Sequence, residues 1–304
     1  MASVGGYGRA SGDVLDTVRR IGVVAGLTFR EAWRRKVFVA ALVMSLGFLA
    51  LYGAGLYYAG VGMASGGPND AMAAEELMRR AVSAQMLNFG LSAAGLIVGL
   101  TAVFASVGTI SGEIDTGVLH GVLGRPVRRE ELIAGKFLGL GAMLVVYYTL
   151  LVSAVTGLAY WLVGAPITNL GGALALFALE PLILSALAVL GSTRLPTLAN
   201  GVLCTAAYGI ASVGGLIEQL GGVIKNTTMA HIGIGVSLLL PVDAMHRKAI
   251  SMLVPGGLLS FEGAAGAMGA GLPAQPSTAM VVWAVGYVAG TVGLAAYSFR
   301  RRGL

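Results

Sequence analysis

Residues 37–63 read VFVAALVMSLGFLALYGAGLYYAGVGM, a stretch that contains no Asp, Glu, Lys or Arg. A helix needs about 20 mostly apolar residues to cross the ~30 Å hydrocarbon core of a bilayer, so this stretch is long enough to span it. Three basic residues, Arg34, Arg35 and Lys36, lie directly before it, as is typical of the flank of a membrane helix. The stretch therefore predicts a membrane-spanning helix.

Five other stretches along the chain satisfy the same criterion, and only one of them contains a charged residue, Glu180. We therefore predict an all-α membrane protein, a single domain over residues 1–304, with six transmembrane helices. The predicted spans are about 37–63, 86–110, 137–163, 171–193, 195–217 and 279–299.

The composition supports this class of protein. Of the 304 residues 56% are hydrophobic and 11% are charged, against about 25% charged in soluble domains. The net charge of +6 comes from basic residues that flank apolar stretches, which argues against a nucleic-acid partner. The single cysteine, Cys204, excludes an intrachain disulfide. The 47 glycines suit close helix packing, although pairs such as Gly135/Gly139 and Gly286/Gly290 are also expected by chance.

The orientation follows from the distribution of Lys and Arg. With six spans, fifteen of the 20 basic residues fall on the side that holds both termini. Because cytoplasmic loops carry the Lys/Arg excess, we predict a multi-pass protein of the bacterial cytoplasmic (inner) membrane with both termini cytoplasmic. The polar lead before residue 37 is interpreted as part of an uncleaved anchor and not as a signal peptide.

Two segments outside the spans have helical patterns. Segment 14–36 combines apolar residues at three- and four-residue spacings with arginines, which predicts an amphipathic helix at the surface of anionic lipid; an ordinary basic flank is the alternative. Segment 218–278 has apolar pieces too short to span, so we predict an external segment with interfacial or re-entrant helices; an extra pair of spans is the alternative. Within it Asp243 and His246 could serve a metal or an external partner, but a solvated helix face is the preferred interpretation.

The pattern of the loop 111–136 predicts a short helix that Pro126 terminates, with an apolar patch formed by Val118, Leu119, Val122 and Leu123. A helix that projects into the cytoplasm has no lipid against which to bury such a patch. It therefore needs a protein partner, unless the loop folds onto its own helix ends.

The same loop resembles the segment after the second span of type-2 ABC exporter permeases. Ser-Gly-Glu113-Ile-Asp-Thr-Gly117, the Leu119 and Leu123 pair, Arg125-Pro126-Val127-Arg128-Arg129 and Gly135-Lys136 match that family's pattern, and the topology matches over most of the chain. The likeness is greatest to permeases of multicopper-enzyme maturation. Val118, where a Thr is common, and His120 depart from the pattern, which leaves partner contacts at these two positions in doubt.

The resemblance implies that 111–136 is a cytoplasmic coupling helix in a groove of a separate ATPase subunit. Glu113 would contact the ATPase, Gly117 would allow close backbone approach, and Arg128 and Arg129 would bind acidic groups or lipid. Leu119, Val122 and Leu123 would form the apolar contact, ended by Pro126. The implied assembly has two permeases and two ATP-binding subunits that hold ATP and Mg, with no cofactor on this chain. A homodimer of permeases is preferred, and a heterodimer is the alternative.

Glu180 lies near the middle of the fourth span, directly before Pro181. A charged side chain at that depth costs at least ~2.5 kcal/mol and usually faces a cavity or a partner. One hypothesis is that Glu180 lines or gates the substrate path at the dimer interface. The alternative is a buried carboxylic acid that is hydrogen-bonded to a neighbouring helix.

The sequence lacks the residues that several other functions would need. The single Gly-Lys, Gly135-Lys136, is followed by Phe137 and forms no phosphate-binding Walker A loop, so no catalytic residue is predicted. The three histidines have no spacing suited to a metal, and we expect all of them in loops. The rival class is a membrane scaffold or a gradient-driven carrier without an ATPase. A carrier usually has several intramembrane ionisable groups, whereas we expected only Glu180.

Overall fold

The computed structural model describes residues 7–64, 72–112, 129–254 and 276–301, and all regular structure in these ranges is helical. The long helices α2 to α6 and α9 are each apolar enough to cross a membrane, which confirms the predicted all-α fold with six spans. In chain order the described helices are α1 Tyr7–Arg34, α2 Lys36–Ala64, α3 Met72–Ser106, α4 Arg129–Val163, α5 Leu170–Ser192, α6 Thr197–Ile224, α7 Thr227–Leu239, α8 Val242–Leu253 and α9 Thr278–Arg300.

The amphipathic helix α1 marks one face of the bundle, which we call the α1 face; the other is the opposite face. Since α2 begins one residue after α1, successive spans alternate between the two faces. Contacts between chain ends agree with this. At the α1 face Arg300 of α9 lies 3.3 Å from Glu130 at the start of α4, and Arg194 after α5 donates to Ser298 of α9 at 2.9 Å.

Helices α4 and α5 form the centre of the bundle. Among the largest fully buried side chains are Tyr148 of α4, Phe177 and Ile183 of α5, and Leu87 of α3. By contrast, less than a third of the most apolar 18-residue stretch of α2, of α6 and of α9 is buried inside the bundle. Their exposed apolar side chains, among them Leu51, Leu198 and Val282, suit a surface that contacts lipid or another membrane protein.

Helices α7 and α8 form a pair bent by 104° at Leu240–Pro241. Helix α7 begins at the opposite face, where α6 ends. The far end of α8 lies at the same face, because the backbone N–H of Thr168, in the loop between α4 and α5, donates to the Leu253 carbonyl at 2.9 Å. The pair therefore enters and leaves the bundle at one face, and we call it the re-entrant hairpin.

The re-entrant hairpin agrees with one of the forms expected for segment 218–278, but α8 does not have the solvated face that we preferred. Ala244, Met245, Ala249 and Leu253 of α8 are completely buried. The side chains of Asp243, His246 and Arg247 are only 19%, 15% and 11% exposed. That expectation is wrong, because α8 packs between α5 and α6. Glu218, which we placed in the external segment, lies inside α6.

Candidate functional site

Glu180 accepts hydrogen bonds within the core of the bundle. Its side chain is only 5% exposed. Tyr148 of α4 donates its hydroxyl to Oε2 at 2.9 Å. The imidazole Nδ1 of His246, on α8, lies 3.0 Å from Oε1. Three helices that are distant in sequence thus converge on one carboxylate in the middle of α5.

Glycines on α3 provide the space for this convergence. A Cβ on Gly95 would lie 3.0 Å from the His246 ring and 3.2 Å from the Tyr148 hydroxyl. One turn further along α3, a Cβ on Gly99 would lie 2.7 Å from the ring of Tyr208, whose hydroxyl donates to the Gly95 carbonyl at 3.2 Å. The small residues let the rings of three other helices approach the α3 backbone.

A second polar cluster is centred on Arg247, the residue after His246 in α8. The Arg247 guanidinium donates to Glu218 of α6 at 2.6 Å and to Asp243 at 2.8 Å. Ser237 of α7 adds a hydrogen bond to the same Glu218 oxygen at 3.1 Å. The Arg247 and Glu218 side chains are 11% and 7% exposed, so each charge is neutralised where water is scarce. The cluster joins both arms of the re-entrant hairpin to α6.

Two expectations about ionisable residues are therefore wrong. His246 lies inside the bundle, neither in a loop nor on a solvated helix face, and Glu180 is not the single ionisable group of the bundle interior. The signal was present in the sequence, since Asp243, His246 and Arg247 have the i, i+3, i+4 spacing of one helix face. We interpreted that face as solvated. Within the described ranges no group of three His, Cys, Asp or Glu residues could hold a metal ion.

The predicted coupling residues fall mostly outside the described residues, namely Glu113, Gly117, Leu119, Val122, Leu123, Pro126 and Arg128, while Arg129 is the first residue of α4. The two ends of the segment are described. The buried Lys136 donates its ammonium to the Thr109 carbonyl at 2.9 Å, and the hydroxyls of Ser111 and Thr197 are 2.8 Å apart. Both ends of the loop are thus attached to the bundle at the α1 face.

Helix α1 packs closely against the first turns of α4. A Cβ on Gly135 would lie 2.6 Å from the Val24 Cβ, and one on Gly139 would lie 2.9 Å from the Thr28 Cβ. The pair Gly135/Gly139 is therefore a contact between helices. In the other pair, no described residue lies within 4 Å of a Cβ placed on Gly286 or on Gly290.

An apolar groove of about 960 Å³ opens between α2, α3 and α6. Thr101, Thr197 and Thr205 provide its few polar atoms. Its wall is otherwise aliphatic and aromatic, with Val37, Met44, Leu100, Phe104, Leu198 and Val202. Glu180 is not among the residues that line this groove. That Glu180 lines or gates a substrate path remains a prediction.

Comparison with known proteins adds one match. The model of a family described as ABC-2 family transporter protein matches residues 23–304, which include all six spans and the re-entrant hairpin. A search of curated proteins finds no match. Permeases of this kind are typically non-catalytic membrane components that associate with an ABC ATP-binding subunit. The chain belongs to the ABC-2 family of transporter proteins and is a multi-pass permease subunit of an ABC transporter.

Proposed function

We propose that the chain is the permease of an ATP-driven exporter in the bacterial cytoplasmic membrane, coupled through residues 111–136 to a separate ATPase. The α1 face would be cytoplasmic, as the Lys/Arg excess predicts. Two copies of the permease would associate with two ATP-binding subunits, which bind ATP and Mg. Hydrolysis would take place on those subunits and not on this chain.

The attachment of both ends of segment 111–136 supports this role most directly. The Lys136 to Thr109 hydrogen bond joins the start of α4 to the end of α3, and Ser111 joins the same end to α6. A force applied to the loop would therefore be transmitted to three spans together. Such a connection suits a rigid-body switch between two states of the bundle.

The apolar groove between α2, α3 and α6 supports a path between two permease copies. Helices α2 and α6 on its two sides are among the spans with the least burial. A second copy placed against them would enclose the groove. Its lining suits an apolar or amphipathic substrate, because only threonine hydroxyls interrupt the aliphatic wall.

Purification of the tagged chain from its native membranes in mild detergent tests the proposal. We expect an ABC ATP-binding protein in equal amount, lost when Glu113 and Leu119 are replaced together by Gln and Ala. A control pair at the opposite face, Val61→Ala with Met78→Ala, should retain it, since both side chains are exposed there. A chain that arrives intact and alone after gentle crosslinking would favour the scaffold or the gradient-driven carrier.

A further inference from the structure

The pair formed by Glu180 and His246 differs from an ordinary buried ion pair in the protons that its atoms can bind. Glu180 has two partners, Tyr148 and His246, one on each oxygen. On His246 only Nδ1 is engaged: Nε2 is enclosed and has no hydrogen-bond partner among the described residues. Imidazole is the side chain that ordinarily changes charge near neutral pH, so this Nε2 is where the pair can take up a further proton.

We propose that His246 and Glu180 form a proton-binding site that controls docking of the re-entrant hairpin in the bundle. With a proton on both ring nitrogens, His246 is a cation opposite the Glu180 carboxylate, and their hydrogen bond is charge-assisted. Without that proton the bond joins an anion to a neutral ring. The carboxylate makes the bond charge-assisted in both states, and the positive charge on the ring adds Coulomb attraction to it. The proton therefore strengthens the contact between α8 and α5.

The charges around His246 favour the added proton. The ionisable group in contact with the ring is Glu180 from α5. Tyr148 from α4, Tyr208 from α6 and, on its own helix, Asp243 and Arg247 lie around it, and Glu218 from α6 is one contact further away, on Arg247. On α3 the backbone of Gly95 approaches the ring, and this residue has no ionisable side chain. The three carboxylates Glu180, Glu218 and Asp243 therefore outnumber the single guanidinium, that of Arg247, which pairs with Glu218 and Asp243. A proton on His246 removes part of the remaining negative charge from a region of low dielectric.

Docking and proton binding are then linked. If α8 separates from α5, water reaches His246 and Glu180 and their mutual stabilisation is lost. The docked hairpin binds the proton and the separated hairpin releases it. By linkage, docking is strongest at low pH and weakens as the pH rises, by at most about tenfold per pH unit for one proton. The second cluster, Arg247 with Glu218 and Asp243, holds the hairpin to α6 in either state.

Thiol labelling of α8 in the full-length chain tests this linkage. Ala249 lies one turn after His246 and is completely buried, so Ala249→Cys in a Cys204→Ala background reports separation of α8. The probe is a membrane-impermeant maleimide, applied to the chain in lipid nanodiscs from about pH 6 to about pH 8. The chain with these two substitutions is the parent. Its labelling rate is divided by the labelling rate of the same chain with Glu180→Gln added. Because the thiol titrates in both chains, its own pH dependence cancels in the ratio.

We expect this ratio to rise severalfold over that range in the parent. It should be flat in a chain with His246→Asn, which keeps an N–H donor toward Glu180 but cannot titrate. Lys248→Gln removes a charge from the same helix without a contact to Glu180, and should leave the rise intact. A ratio that is independent of pH in the parent, or that rises equally with His246→Asn, would overturn the proposal.

A second measurement avoids substitutions at the site. A chain with His120→Gln and His231→Gln contains one histidine, His246, because the sequence has three. Nitrogen-15 NMR of its labelled imidazole distinguishes a doubly protonated ring from a neutral one. We expect the doubly protonated ring at low pH and its loss as the pH rises. A ring that stays neutral throughout would exclude the proton-binding site whatever the labelling shows.

Discussion

Substitution of Gly139 by alanine tests whether α1 is part of the folded bundle or only lies near it. A Cβ at this position would lie 2.9 Å from the Thr28 Cβ and 3.0 Å from the Ala25 carbonyl carbon, whereas ordinary contacts begin at 3.4 Å. The obstacle is helix backbone, which cannot rotate away. Helix α1 must therefore move by roughly 0.5–1 Å, and overpacking of this kind costs about 1–3 kcal/mol.

Alanine also favours the helix by up to ~1 kcal/mol relative to glycine, so the net expected loss is about 0–2 kcal/mol, or about 1–3 kcal/mol relative to a helix glycine without such a contact. Gly290→Ala is the matched control, since nothing lies within 4 Å of it among the described residues. It should be neutral or stabilising. Thermal unfolding in mild detergent measures the difference, and tryptic cleavage after the exposed Arg19 and Arg30 of α1 reports local detachment. Equal unfolding temperatures and equal cleavage for the two variants would refute the close packing of α1 on α4.

Two further changes address the polar contacts. Arg247→Leu should destabilise the chain by about 3–5 kcal/mol, because it leaves Glu218 and Asp243 buried without their cation; thermal unfolding measures this, and a loss below ~1 kcal/mol would show that the cluster is hydrated. Asn200→Ala should cost about 1–3 kcal/mol, since the Asn200 amide donates to the carbonyls of Val107 at 3.2 Å and Ala188 at 2.8 Å. Hydrogen exchange at the junction of α3, α5 and α6 should rise in that variant, and unchanged exchange would contradict the role of Asn200.

The six spans could be predicted from the sequence because the bilayer imposes a length and an apolar composition on each one. Neither arm of the re-entrant hairpin is long enough to span, and α8 also lacks the apolar composition. Each is short, and α8 carries three ionisable residues on one face. Such a helix can be solvated or can bury its charges against partners, and its own sequence does not distinguish these outcomes.

Contacts between segments that lie far apart in the sequence could not be predicted either. The sequence identified Glu180 as an intramembrane carboxyl, but its partner His246 lies 66 residues away on a helix that we interpreted as surface. The glycine pairs show the same limit. Gly135/Gly139 and Gly286/Gly290 have identical spacing, yet only the first pair meets another helix among the described residues. Spacing indicates that close approach is possible, and the neighbouring helix decides whether it occurs.

The distance along the chain between Glu180 and His246 has a consequence for biosynthesis. Proteins are made at about 5–20 residues per second, so His246 leaves the ribosome roughly 3–13 s after Glu180. During that interval α5 is inserted with a carboxyl at its centre, which costs about 2.5–3.5 kcal/mol when it is charged. Tyr148 is already present and can donate to it, whereas His246 is not. The fourth span therefore depends on the third during insertion, and docking of α8 is a late step in the maturation of the chain.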